Sequence, residues 1–197
     1  VSEKREQPLM MTDDNPEVML SRRPLKRGLV QVFTGDGRGK TSAGLGTALR
    51  ASGRGLRVYI VYFMNTSYDS GEHEVLYRLP GVSWVAFGPG LVRHPEQPSP
   101  EIRDKASQAL AEARRAMLSG DYDVLILDEL NIVTGWGWLE TDDVLSLIKD
   151  KPEQVELVMT GRLAPPEIRD AADLVTEMKK IKHPFDAGIP ARQGIEY

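Results

Sequence analysis

The sequence has no cysteine anywhere in its 197 residues. Structural disulfides, thiolate metal centres and a cysteine nucleophile are therefore excluded. No apolar run approaches the ~18 residues of a membrane-spanning helix, so no membrane partner is expected. The first residues carry no apolar core of a secretory signal, and a cytoplasmic enzyme is the expectation. Neither sign of charge is in large excess: 25 Lys and Arg stand against 29 Asp and Glu, a formal net charge of −4. That balance argues against bulk nucleic-acid binding. Histidine is scarce, and His73, His94 and His183 lack metal-ligand spacing, so a zinc site is not expected. Internal repeats and low-complexity tracts are absent too. What remains is a chain of one-domain size, 41% hydrophobic and able to bury a core.

Residues 1–27 read as an N-terminal arm: polar, charged, without periodicity, and ending in a basic knot of Arg22, Arg23, Lys26 and Arg27. Such an arm is either solvated and flexible, or a cap that closes over a site or a partner subunit. Residues 28–197 read as the domain proper, because strand and helix signals alternate from there on. Strands are expected at 29–33, 57–63, 82–87, 124–127, 155–159 and 174–178. Helices are expected at 42–52, 71–79, 99–120, 141–149 and 166–172, with Ser99 capping the third and Thr141 or Asp142 the fourth. This alternation predicts an α/β fold of three layers, a mostly parallel central sheet with helices on both faces.

The densest chemical signal is Thr34-Gly35-Asp36-Gly37-Arg38-Gly39-Lys40-Thr41-Ser42, set between an apolar strand and a helix. Strand, glycine-rich loop, Lys-Thr and helix make up a P-loop, and hence a P-loop NTPase-like (RecA-like) fold. Glycines let backbone N–H groups turn toward an anion, and the helix N-terminus adds unpaired donors and a positive dipole end. Lys40 is placed to meet phosphate oxygens and the Thr41 hydroxyl to meet Mg2+. The commonest P-loop has Gly where this chain has Thr34, which points to phosphates held in another register or direction.

Val124-Leu125-Ile126-Leu127-Asp128-Glu129 is an apolar strand ending in two acids, as P-loop proteins use to hold Mg2+. Asp128 reads as the structural acid; Glu129 reads as a metal contact or a base for water. Arg162, in Thr160-Gly161-Arg162 after the next strand, is a candidate for a phosphate or a substrate carboxylate. Trp136 and Trp138 suggest a stacking box, but two-residue spacing prevents one shared helical face, so packing or a dimer contact is the favoured reading. His73, on a presumed helix, is expected to be solvated.

These segments together resemble the P-loop type of ATP:corrinoid adenosyltransferase, which acts on cob(I)yrinic acid a,c-diamide or cob(I)alamin. The resemblance runs from about Gly28 to Tyr197. It rests on Val32-Phe33-Thr34-Gly35-Asp36-Gly37-Arg38-Gly39-Lys40-Thr41, Leu127-Asp128-Glu129-Leu130 and Thr160-Gly161-Arg162. Most discriminating is the end, Lys182-His183-Pro184-Phe185-Asp186-Ala187-Gly188 with Gln193-Gly194-Ile195-Glu196-Tyr197. The resemblance implies that ATP gives its 5′-deoxyadenosyl group to Co(I) of a reduced corrinoid and releases triphosphate. It implies Mg2+ as cofactor, ATP and the corrinoid as substrates, a protein reductant such as a flavodoxin, and a homodimer. It makes Glu129 a Mg2+ ligand rather than a hydrolytic base, and it places His183 in a segment that orders or lines the site.

Two departures from the family stand out. The family carries a Phe and a Trp in the loop after the third strand, where they help strip the lower cobalt ligand. This chain has Gly88-Pro89-Gly90-Leu91-Val92-Arg93-His94-Pro95 there, with no aromatic residue. Leu91, Val92 or His94 are the candidates for the corrin face; a precursor corrinoid without a lower nucleotide ligand is the other explanation. Asn65 stands where the family often has Lys. A RecA-like ATPase or small kinase, or a nucleotide-sensing module, would account for the loop and the acid pair but not for the C-terminal segment.

Overall fold

The structure, a computed structural model, describes residues 24–64, 71–88 and 95–196. Arg22, Arg23, Asn65, the candidates Leu91, Val92 and His94, and Tyr197 lie outside the described residues. The elements follow in the order β1 (Val30–Thr34), α1 (Lys40–Ser52), β2 (Val58–Tyr62), α2 (His73–Leu76), β3 (Val82–Ala86), α3 (Pro100–Leu118) and β4 (Val124–Asp128). They continue with α4 (Leu130–Gly135), α5 (Thr141–Lys149), β5 (Glu156–Thr160), α6 (Pro166–Ala171), β6 (Leu174–Glu177) and a 3-10 turn at Pro184–Ala187.

The six strands form one sheet in the order β3-β2-β4-β5-β1-β6, and every pairing is parallel. Its central strands are apolar at consecutive positions because both faces are covered. Alternate side chains enter different cores. Val61, Leu125, Leu127, Leu157 and Met159 pack with α3, α4, α5 and α6. Val58, Ile60, Ile126 and Val158 pack with α1 and α2 on the other face. The period of two along each strand divides the core into these two layers. The expected three-layer α/β fold is thus present.

Several local expectations need correction. Helix α4 starts directly after Glu129, where no helix was expected; its Leu130 and Val133 are fully buried. A six-residue helix is too short to show a helical period in sequence. Ser99 has the extended backbone of a cap, yet no side-chain cap bond forms, and its hydroxyl pairs with Glu101 instead. Glu140, not Thr141 or Asp142, is the N-cap of α5. Trp138 is buried in the core beneath α3 and donates from Nε1 to the Pro95 carbonyl at 2.7 Å, with Trp136 beside it at 5.4 Å between rings. Packing therefore accounts for both tryptophans.

The strand order has one consequence for the site. β1, which leads into the phosphate loop, and β4, which ends in the acids, are not neighbours; β5 lies between them. Leu157 of β5 is fully buried at the centre. Truncation by Leu157→Ala should cost about 2–5 kcal/mol in a denaturant melt, as for other fully buried leucines. A cost below about 1 kcal/mol would contradict this placement of β5.

Candidate functional site

The chain leaves β1 at Thr34 and turns through five residues into α1. Gly39, the N-cap of α1, has φ 115°, a conformation that side chains disfavour. No side chain caps α1, and its first-turn residues Lys40, Thr41 and Ser42 line a cavity of about 700 Å³. Uncapped N–H groups and the helix dipole give this end a positive electrostatic potential. Lys40 is buried at 7% exposure and donates from Nζ to the Gly37 carbonyl at 2.7 Å. Burial lowers its pKa, and so does Arg162; Glu129, Asp36 and Asp128 oppose them.

The acids face this cation from the end of β4. Asp128 is buried, and its Oδ1 accepts from the Thr160 hydroxyl at 2.6 Å. The same Thr160 oxygen accepts from the Glu129 N–H at 3.1 Å. The Thr41 hydroxyl also hydrogen-bonds Asp128. Burial nonetheless raises the Asp128 pKa above the usual carboxylate range. Glu129 has φ 61°, a left-handed backbone that costs a non-glycine residue about 1–3 kcal/mol. Thr160 and the start of α4 hold it there. Its Oε2 is buried without a hydrogen-bond partner. A Cβ at position 161 would lie 3.0 Å from that oxygen, so Gly161 leaves the carboxylate its space. Burial first, then the nearby Asp128 charge, push the Glu129 pKa up to about 7, with Lys40 and Arg162 acting against them.

The C-terminal segment forms the remaining wall. The Gly37 N–H donates to the Met178 carbonyl at 2.5 Å, and the Met178 N–H donates to Thr34 O at 2.8 Å. A Cβ on Gly35 or Gly37 would lie 2.6 Å from the Met178 oxygen. These glycines are thus required by a strand passing close to the loop. Arg38 pairs with Glu196 at 3.0 Å and also donates to the Ile195 carbonyl. Glu196 accepts in turn from the Arg192 guanidinium at 2.9 Å and its backbone N–H at 2.7 Å. His183, Gly194, Ile195 and Glu196 line the cavity. His183 also caps the 3-10 turn, its Nδ1 accepting from the Phe185 N–H at 3.2 Å.

Of the residues expected in the site, Gly37, Arg38, Gly39, Lys40, Thr41, Ser42, Asp128, Glu129 and Arg162 converge on this cavity. Thr34, Gly35 and Asp36 do not line it; the Thr34 hydroxyl accepts from the Ala164 N–H at 3.3 Å instead. Thr160 and Asn131 had no role assigned from sequence. Asn131 is fully buried, and its Nδ2 reaches the carbonyls of Phe33, Met159 and Gly161 at 3.3–3.4 Å, tying α4 to the ends of β1 and β5. Its only sequence signal was a polar residue just after an apolar strand. His73 is not solvated: it is 3% exposed, stacked on Trp84 at 4.3 Å and edge-on to Tyr62 at 4.8 Å.

A family model described as ATP:corrinoid adenosyltransferase BtuR/CobO/CobP matches residues 26–197. The chain belongs to the ATP:corrinoid adenosyltransferase family. A corrinoid adenosyltransferase of Pseudomonas aeruginosa is 38% identical over 173 residues, 87% of this chain and 85% of its own. That of Escherichia coli K12 is 34% identical over 176 residues, 87% of each chain. The corrinoid adenosyltransferase CobA of Salmonella typhimurium is 33% identical over 196 residues, 99% of this chain and 98% of its own. Among solved structures, the flagellar accessory protein FlaH of Methanocaldococcus jannaschii matches with TM-score 0.45 and 14% identity, over 78% of this chain and 71% of that one. That likeness is too slight to bear on function. The adenosyltransferase family match, by contrast, takes in both the phosphate loop and the C-terminal segment that folds against it.

The raised Glu129 pKa has a consequence for stability in the metal-free protein. Folding raises the pKa from 4.5 to about 7, so the native state binds the proton more tightly than the unfolded chain. That contribution is present below about pH 4.5 and is lost as pH rises to about 7. Melting in EDTA should therefore show wild-type stability falling relative to Glu129→Gln across this window. Parallel profiles for the two proteins would refute the shift.

Proposed function

We propose that this chain transfers the 5′-deoxyadenosyl group of ATP to the Co(I) centre of a reduced corrinoid and releases triphosphate. The observation that carries this reading is the C-terminal segment locked onto the phosphate loop through Met178–Gly37 and Glu196–Arg38, within a chain of the adenosyltransferase family. The electron pair of Co(I) forms the bond to C5′; the C5′–oxygen bond breaks and its pair leaves with the triphosphate. Co(I) is itself a strong nucleophile, so no protein base is required.

The tasks left to the protein are positioning and charge stabilisation. Lys40 and the uncapped first turn of α1 face the triphosphate, and Arg38 and Arg162 add positive charge at the rim of the cavity. Thr41, Asp128 and Glu129 suit Mg2+: they are hard oxygen donors, and the Glu129 Oε2 is buried with no partner. When bound, Mg2+ would neutralise charge on the phosphates and on the leaving triphosphate. Lys40 moves from the Gly37 carbonyl to a phosphate oxygen as ATP enters. The surroundings of the reaction belong to the same proposal: residues 1–27 as an arm over the site, a homodimer, a protein reductant such as a flavodoxin, and a cytoplasmic setting.

Anaerobic protein with Mg-ATP and chemically reduced cob(I)alamin should give a light-sensitive cobalt–carbon product and triphosphate in equal amounts. Formation of ADP and phosphate without a corrinoid change would replace this reading with an ATPase. Lys40→Ala should lower transfer by about 10²–10³-fold while the fold persists; unchanged transfer would overturn the role of Lys40. Glu129→Gln should raise the Mg2+ concentration needed for half-maximal rate, and an unaltered metal titration would remove Glu129 from the metal site.

A further inference from the structure

A second cavity, of about 360 Å³, adjoins the nucleotide cavity at the Gly37–Arg38 turn. Arg38, Lys179, Lys180, Lys182 and His183 line it, and it shares Gly37, Arg38 and His183 with the first cavity. We propose that this pocket is an oxyanion subsite for peripheral carboxylates of the corrinoid, so that the enzyme favours a corrinoid with free acid side chains over a fully amidated one. The proposal rests on the adenosyltransferase reading above.

Charge is the first support. The described residues lining this cavity include four permanent cations and no acid; of these cations, Lys180 pairs with Asp186 at 3.0 Å and Arg38 with Glu196 at 3.0 Å. Among the described residues, neither Lys179 nor Lys182 forms an ion pair. Position is the second. The two cavities share Gly37, Arg38 and His183, and the corrin macrocycle is wider than a nucleoside, so a corrin held over the nucleotide cavity would be large enough to extend to this shared wall. The triphosphate has its own cradle across that wall, at Lys40 and the start of α1. The Gly37 N–H points to Met178 and is not available to either anion. Ile181, 82% exposed in the same wall, offers apolar contact to the edge of the macrocycle.

The test compares steady-state kinetics on cob(I)yrinic acid a,c-diamide, which keeps free carboxylates, with those on cob(I)alamin, whose ring side chains are amidated. The proteins are the wild type and the double variant Lys179→Gln, Lys182→Gln; both positions are exposed, and an unchanged melt checks the fold. In the variant the KM for the diamide should rise about five- to tenfold, while the KM for cob(I)alamin moves less than about twofold. Added salt should raise the wild-type KM for the diamide and have less effect on the variant. Equal changes for both corrinoids, no change for either, or a raised KM for ATP would overturn the subsite in an otherwise active enzyme. A wild type that adenosylates neither corrinoid would instead overturn the transferase reading, and this proposal with it.

Discussion

A carboxylate at the buried end of a parallel strand is tolerable only if its oxygens are hydrogen-bonded, and Asp128 meets that condition through Thr160 and Thr41. One hydroxyl, that of Thr160, donates to Asp128 and accepts from the Glu129 N–H. It thereby fixes the strained backbone of Glu129 and the origin of α4. β5 stands between β1 and β4, so Thr160 ties the acid strand to its neighbour, while Thr41 joins Asp128 to the start of α1 directly. Asn131 secures the same junction from α4, by reaching the carbonyls at the ends of β1 and β5. The cost of burial shows in the raised pKa values of both acids, and the Asp128 charge adds to the shift of Glu129. In the proposed function a divalent cation would offset that cost.

The phosphate loop depends on a segment far away in sequence. Met178 receives the Gly37 N–H and donates to Thr34, so β6 continues as a support along the loop. Beyond it, Glu196 joins Arg38 to Arg192 and closes the wall of the cavity. These contacts give a physical reason for the coincidence of a Gly-x-Gly-x-Gly loop with a Gly-Ile-Glu end in one chain. The alternate glycines serve close passage of a neighbouring strand as well as backbone approach to phosphate. An enzyme that must hold C5′ in line with an external nucleophile needs such a wall, because misplacement at the reacting carbon is costly in rate.

Much was legible in the sequence because it is carried by local pattern. Apolar strands alternating with helices marked the parallel sheet, and Lys40-Thr41 after the glycines marked the start of α1 at the cavity. Asp128-Glu129 marked the acid strand, and the terminal motif marked the family. Other features were not legible. His73 looked like a helix-surface residue, yet Trp84 and Tyr62, from two other strands, enclose it. Thr160 sat in a short motif noticed for Arg162, but its partners are about thirty residues away in sequence. Helix α4 is too short for its period to register, and Thr34, inside the motif, turns its hydroxyl to Ala164 and away from the cavity.

The sequence by itself determined the fold class, the glycine-rich turn between β1 and α1, and the family, because each rests on contiguous residues whose spacing carries the physics. The tertiary structure alone decided which loop N–H groups remain free, which acid is held by a hydroxyl, and what closes the cavity. Those depend on the strand order, which puts β5 between the loop and the acids and β6 against the loop's outer side. Pairing of that kind is a long-range choice, and no local spacing records it.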